Sequence, residues 1–436
     1  MLSAFRSALT TPDLRKKILF TLGVVAVYRL GALIPSPGVS YPAIQQCLVA
    51  AEGGDSQNIY SLINLFSGGA LLQLSILALG IMPYITASII VQLLTVVIPR
   101  FEQLKKEGQS GQAKLTQYTR YLTIALGILQ ATGIVALADR GQLFPGCPQD
   151  VIPGDSVFDL GIIVLVMTAG TAVVMWLGEQ VTERGVGNGM SLLIFASIAA
   201  RIPAEGGNVL NNAGPVVFAG ICVFALAIIA SVVFVEQGQR RIPVQYAKRM
   251  VGRRMYGGTS TYLPLKVNQA GVIPVIFASS LLYLPALISQ LAASASGGFQ
   301  QFVQTYLVDQ SNPVHILLYV ALIVFFTYFY VGITFNPDER AEEMKKFGGF
   351  IPGIRPGRPT AEYLNYVLSR ITLPGSLYLG IVAVIPNFFL SLTGTGQNQN
   401  FPFGGVAVLI MVGVGLDTVK QIESQLMQRN YEGFLR

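Results

Sequence analysis

Ten apolar runs constrain this chain more than any other feature in it, at 18–35, 75–98, 118–138, 158–177, 187–202, 215–235, 270–292, 314–335, 371–392 and 403–419. Each is near the roughly 20 residues that a helix needs to cross a bilayer core. Inside that core every backbone N–H and C=O must be bonded within the protein, which for separate runs of this length means helices. Only 12% of the 436 residues are charged, against about 25% in a typical soluble protein. The fold class expected is therefore an all-α polytopic membrane protein with ten transmembrane helices. The first 17 residues carry Arg6, Arg15, Lys16 and Lys17 and no small-residue cleavage site follows, so the first span itself serves as the targeting signal.

Basic residues near span ends stay on the cytoplasmic side, and here they alternate sharply between links. Links 99–120, 236–269 and 336–370 are rich in Lys and Arg, whereas 35–74, 293–313 and 393–402 have none. One side collects all but Arg29, Arg140 and Arg201 of the 29 basic residues. Both termini are expected in the cytoplasm of a multi-pass plasma-membrane protein.

A second constraint is internal. Gly80-Ile81-Met82-Pro83-Tyr84-Ile85-Thr86-Ala87-Ser88 recurs as Gly271-Val272-Ile273-Pro274-Val275-Ile276-Phe277-Ala278-Ser279, with five of nine positions identical. Five spans per half turn the second half upside down, and the two copies open the second span of each half, as an inverted repeat requires. Glycine and proline there read as helix breaks, tolerated in a bilayer beside other protein or a water-lined cavity. The expected division is 1–17 as an N-terminal segment, 18–202 as the first half, 203–213 as an external hinge link, 214–420 as the second half and 421–436 as a tail.

The link at 35–74 ends in a stretch, 58–70, that is apolar but too short to cross. It reads as a re-entrant helix hinged at Gly68-Gly69, or as a helix lying on the membrane; the absence of Lys and Arg counts against the second. The two largest basic links carry Arg240, Arg241, Lys248, Arg249, Arg253 and Arg254, and then Arg355 and Arg358 between prolines and glycines. That exceeds what span retention needs and suits a partner bearing phosphates or acidic side chains.

Enzymatic signals are missing. HExxH, Walker A, GxSxG and CxxC do not occur, the one histidine is His315, and Cys47, Cys147 and Cys222 are scattered, so no metal or cofactor is expected. An external pairing of Cys47 with Cys147 stays open. Within the spans Arg29 alone is clearly charged, whereas ion-coupled transporters usually need intramembrane ionisable sites. Instead Ile81 with Ile85, and Met190 with Ile194, share helix faces, and the repeat carries Ile85 onto Ile276. Such pairs are commonly packing, but ringed together they would form a constriction that dewets.

Several motifs together resemble the bacterial SecY family, the channel subunits of the protein-secretion translocon. They are Phe66-Ser67-Gly68-Gly69-Ala70, Ala78-Leu79-Gly80-Ile81-Met82-Pro83-Tyr84-Ile85, Lys105-Lys106-Glu107-Gly108, Trp176-Leu177-Gly178-Glu179-Gln180-Val181-Thr182-Glu183-Arg184-Gly185, Gly238-Gln239-Arg240-Arg241, Leu263-Pro264-Leu265-Lys266-Val267-Asn268 and Ile354-Arg355-Pro356-Gly357. The resemblance implies a clamshell of two inverted five-helix halves that conducts unfolded preproteins and is not an enzyme. It puts the pore ring on Ile81, Ile85, Met190, Ile194, Ile276 and Ile410, with Met190 where the family commonly has Ile. It puts a re-entrant plug helix at 58–73, with Asn58, Leu62, Phe66, Ser67, Gly68 and Gly69. A lateral gate would use Thr86, Gln92, Asn268 and Ser279. The arginine-rich links would dock the ribosome, with contact to its ribosomal RNA, or the SecA motor, beside SecE and SecG subunits, signal sequences and lipid. The alternative from another class is an inverted-repeat secondary transporter of a small solute.

Overall fold

The computed structural model describes residues 11–51, 67–139, 141, 151–154, 156–246, 249–251, 254–256, 260–291, 302–308, 312–392 and 405–434. Each of the ten apolar runs falls on a helix. The first half holds α1 (Pro12–Leu33), a short α2 (Tyr41–Ala51), α3 (Met82–Val97), α4 (Pro99–Lys106), α5 (Gln109–Asp139), α6 (Val157–Arg184) and α7 (Gly189–Ala199). The second holds α8 (Ile202–Gln237), α9 (Ile273–Leu291), α10 (Pro313–Thr334), α11 (Pro337–Lys346), α12 (Arg358–Leu392) and α13 (Gly405–Phe434). Among the described residues six helices qualify as spans by length and hydropathy, or seven if α3 and α4 count as one bent span.

Local chemistry explains where the helices begin and bend. Helix α3 starts late in its apolar run: residues 68–81 are turns, yet Leu71, Leu74, Ala78, Leu79 and Ile81 are buried. Non-helical backbone at this depth is tolerated because protein surrounds it. Gly80 has φ +54° and Gly271 φ +62°, a left-handed turn that suits glycine. Pro83 and Pro274 follow in the first helical turn, where a missing N–H costs nothing. The repeated Gly–Pro pair is thus a device for starting a helix at depth, not a break within one. At Ile98–Pro99 the chain turns through 100° from α3 into α4. The link at 203–213 is itself helical, and the break falls at Gly214 (φ 84°, ψ 167°), ahead of Pro215.

Among the described residues five strands add to the helices. The link after α8 folds back on itself as β1 (Gln239–Tyr246), β2 (Arg249–Val251), β3 (Arg254–Tyr256) and β4 (Ser260–Lys266). β5 (Gly349–Phe350) then joins β1, giving an antiparallel sheet of order β4–β1–β5. The two arginine-rich links are in this way parts of one body. Ile242 and Leu265 root it in an apolar cluster with Val331, Phe335, Ile351, Leu364 and Leu368.

In the first half α5 packs on α3 and α6, and α6 on α7 and α1; in the second α10 packs on α9 and α12, and α13 on α8 and α12. The halves meet where α7 touches α13 and where α9 touches both α3 and α5. One large core cluster draws on both halves. Helix α8 turns apolar side chains outward, with Val216 84% and Phe234 82% exposed, as a helix that faces lipid or another apolar helix does.

Candidate functional site: an apolar constriction and a two-helix gate

Ile81, Ile194 and Ile410 are buried members of that central cluster, and Ile85, Met190 and Ile276 pack against it while partly exposed. All six residues expected in the ring therefore meet in one apolar body. Helix starts bring them there. Ile81 caps α3 and Ile85 lies in its first turn; Ile276 lies in the first turn of α9. The Asn188 side chain accepts hydrogen bonds from the Met190 and Ser191 N–H groups, which fixes the start of α7 and hence Met190 and Ile194. Met190 lies over Gly178 of α6, where an added Cβ would collide with its sulfur. A flexible thioether suits such a gap.

The four expected gate residues sit on or beside the two touching repeat helices, and each is bonded within its own half. Thr86 donates to the Met82 carbonyl at 3.0 Å, and Gln92 reaches Ser88 at 3.5 Å, both within α3. Asn268 donates to Glu236 at 3.0 Å and to the Gly271 carbonyl at 3.1 Å, tying the lead-in turn of α9 to the end of α8. Ser279 donates to the Val275 carbonyl, and its hydroxyl lies 3.1 Å from that of Tyr319 on α10. Among the described residues no side-chain hydrogen bond joins α3 to α9. Their contact is apolar, so parting them strands no buried donor or acceptor.

Residues that sequence reasoning passed over hold this frame. Glu236 is buried, 5% exposed, and was visible only as an acid near a span end. Tyr28 on α1 shares a 2.8 Å hydrogen bond with Ser197 on α7, and Gln130 is buried on α5, which α3 and α9 both touch. Nothing in the spacing of these residues pairs them.

Of the expected plug, Asn58, Leu62 and Phe66 lie outside the described residues. Ser67 is buried and accepts from the Leu71 N–H at 3.2 Å. Gly68 (φ +68°) and Gly69 (φ +94°) form a turn there, and the Arg29 guanidinium donates to the Gly68 carbonyl at 3.1 Å.

At the strand-bearing end Arg240 and Arg241 are exposed on β1, and Arg355 and Arg358 are exposed before and at the start of α12. The second pair stands on a firm loop: Ile351 is buried, Ile354 packs against the cluster below, and the Thr360 hydroxyl donates to the Arg355 carbonyl at 2.9 Å. Arg249 and Arg254 lie on β2 and β3; Lys248 and Arg253 fall outside the described residues. Among the described residues no three His, Cys, Asp or Glu side chains cluster as metal ligands. Cys47 is disulfide-bonded and buried, Cys222 is a free thiol, and Cys147 lies outside the described residues. His315 is engaged with the Leu307 carbonyl at 2.8 Å.

Comparison with known proteins matches residues 75–419 to the SecY family model. A protein translocase subunit SecY of Mycobacterium bovis is 72% identical over 441 residues, covering 100% of both chains. A solved structure described as that of a protein conducting channel superposes with TM-score 0.65 at 20% identity, covering 94% of this chain and 91% of that chain. Sec61 in a canine ribosome–channel complex from the endoplasmic reticulum gives TM-score 0.60 at 19% identity over the same shares.

Proposed function

This chain belongs to the SecY family, and from that premise we propose that it is the protein-conducting channel of a Sec translocon, passing unfolded preproteins across the plasma membrane and releasing transmembrane segments sideways into lipid. The observation that carries this reading is the convergence of Ile81, Ile85, Met190, Ile194, Ile276 and Ile410 in one apolar body beside the touching helices α3 and α9. An apolar constriction excludes ions and water by dewetting, yet yields to a chain that brings its own side chains. At rest the ring and the segment 58–73 seal the path. A signal sequence, with an apolar core of about 10 residues, enters between α3 and α9. The apolar α3–α9 contact lets the helices part at little polar cost, while Asn268–Glu236 and Ser279–Tyr319 keep α9 anchored to its own half as it moves.

The chain supplies a path and no chemistry, so energy comes from a partner. The exposed Arg240, Arg241, Arg355 and Arg358 offer a rigid cationic surface to the ribosome or to SecA, consistent with the ribosome-bound state of the canine Sec61 relative. Both termini and this surface face the cytoplasm in our reading, with SecE and SecG packed on exposed apolar helices such as α8. The hinge between halves lies at 203–213, before Gly214. The small-solute transporter draws no support from these observations.

Reconstitution with SecE, SecG, SecA and ATP tests the reading. We expect a preprotein with a signal sequence to become protease-protected inside vesicles. Its failure to do so, in a preparation where a Mycobacterium bovis SecY works, would overturn the assignment.

A further inference from the structure

Arg29 is the charge inside a span for which the channel described above has no use. An ionisable side chain within a membrane segment is costly and ordinarily faces a partner or a water-filled cavity. Arg29 lies four residues before the end of α1, half-buried. Among the described residues it pairs with no carboxylate; its Nη1 donates instead to the Gly68 carbonyl. The surroundings are built around that contact. Gly68 has φ +68°, and a Cβ there would collide with the Arg29 guanidinium and approach the Ser197 Cα to 3.1 Å. One residue back, Tyr28 is fully buried and bonded to Ser197. Gly80, which leads into α3, is packed so closely that a Cβ would lie 3.3 Å from the Ser67 Cα and 3.6 Å from the Tyr28 hydroxyl. Three parts of the chain thus meet at one point: α1, α7 and the turn that ends segment 58–73.

We propose that Arg29 is a positioning residue that latches the hinge of the plug in the closed channel by donating to the Gly68 carbonyl. The proposal rests on the reading of 58–73 as the plug. A cation bonded to a neutral carbonyl makes a reversible latch. It satisfies the charge while the plug is seated, and a guanidinium released into a water-filled pathway is solvated again when the plug leaves. Bonds of this type shift an equilibrium by about tenfold.

The test uses the full chain with its partner subunits in lipid nanodiscs, in a Cys222→Ser background. A cysteine replacing the fully buried Leu71 reports hinge opening through its rate of reaction with a charged maleimide. A second, replacing the fully buried Leu364 on α12, which lies in a different apolar cluster, is the control. Arg29→Met is expected to raise labelling at position 71 about tenfold, and Arg29→Lys to stay within about threefold of the parent. Arg29→Gln, which is neutral and too short to reach the Gly68 carbonyl, is expected to raise it as well, and decides the matter alone if Arg29→Met does not insert. Unchanged labelling at position 71, or an equal rise at position 364, would overturn the latch. Labelling needs no preprotein, so a parent chain that moves none would sink the channel reading and leave this result standing.

Discussion

Ile85 and Ile276 occupy equivalent places in the two repeat copies, and both pack on the central cluster while partly exposed. A carboxamide at either place gives water a partner in a constriction that otherwise dewets. The double substitution Ile85→Asn with Ile276→Asn should raise resting ion conductance in a planar bilayer several-fold; an unchanged conductance would remove them from the seal. Glu236 behaves differently, because its role is to hold Asn268. Glu236→Ala removes the acceptor of a buried amide, a loss of about 1–3 kcal/mol, seen as a lower thermal midpoint in detergent. Glu236→Gln keeps an acceptor and should lose less than half as much. Equal losses would mean that the charge, not the hydrogen bond, matters.

Among the elements, the helices were legible because a bilayer admits one solution for a long apolar run, and α1, α5, α6, α10 and α13 lie where composition puts them. The repeat was legible as identity but not as geometry. Gly80 and Pro83 look like a break in sequence, and only a positive φ at Gly80 with the helix beginning at Met82 shows a start. The sheet was not legible from charge counts: Arg240 and Arg241 drew attention to charge, while the signal lay in Ile242 and Val244, buried alternately with exposed Pro243 and Gln245. Contacts such as Arg29 with Gly68, 39 positions apart, depend on the path of the intervening chain and leave no local trace. Close packing between elements gives its own prediction. Gly170 of α6 lies against the Ile76 carbonyl, where a Cβ would collide with backbone. Gly170→Ala should therefore destabilise the chain by roughly 1–3 kcal/mol, measured by thermal unfolding; a neutral result would mean that residues 75–81 yield easily.

For the whole molecule, two inverted halves meet along α7–α13 on one side and along α9 with α3 and α5 on the other. Such an arrangement opens like a clamshell if one seam holds while the other parts. Among the described residues no side-chain hydrogen bond joins α3 to α9, and this is the seam that brings the two repeat copies together. The exposed Arg240, Arg241, Arg355 and Arg358 lie on the same half as α9, so that in the function proposed above docking and opening would share one set of elements. Covalent closure of this seam tests the account most directly. In a Cys222→Ser background, one cysteine in the 80s segment on α3 and one in the 270s segment on α9, placed on touching faces, are oxidised before preprotein is added. The account predicts that the disulfide forms in the resting channel and abolishes preprotein transport, that reduction restores it, and that prior engagement of a signal sequence prevents the bond from forming. Transport at the parental rate through the locked channel would contradict it.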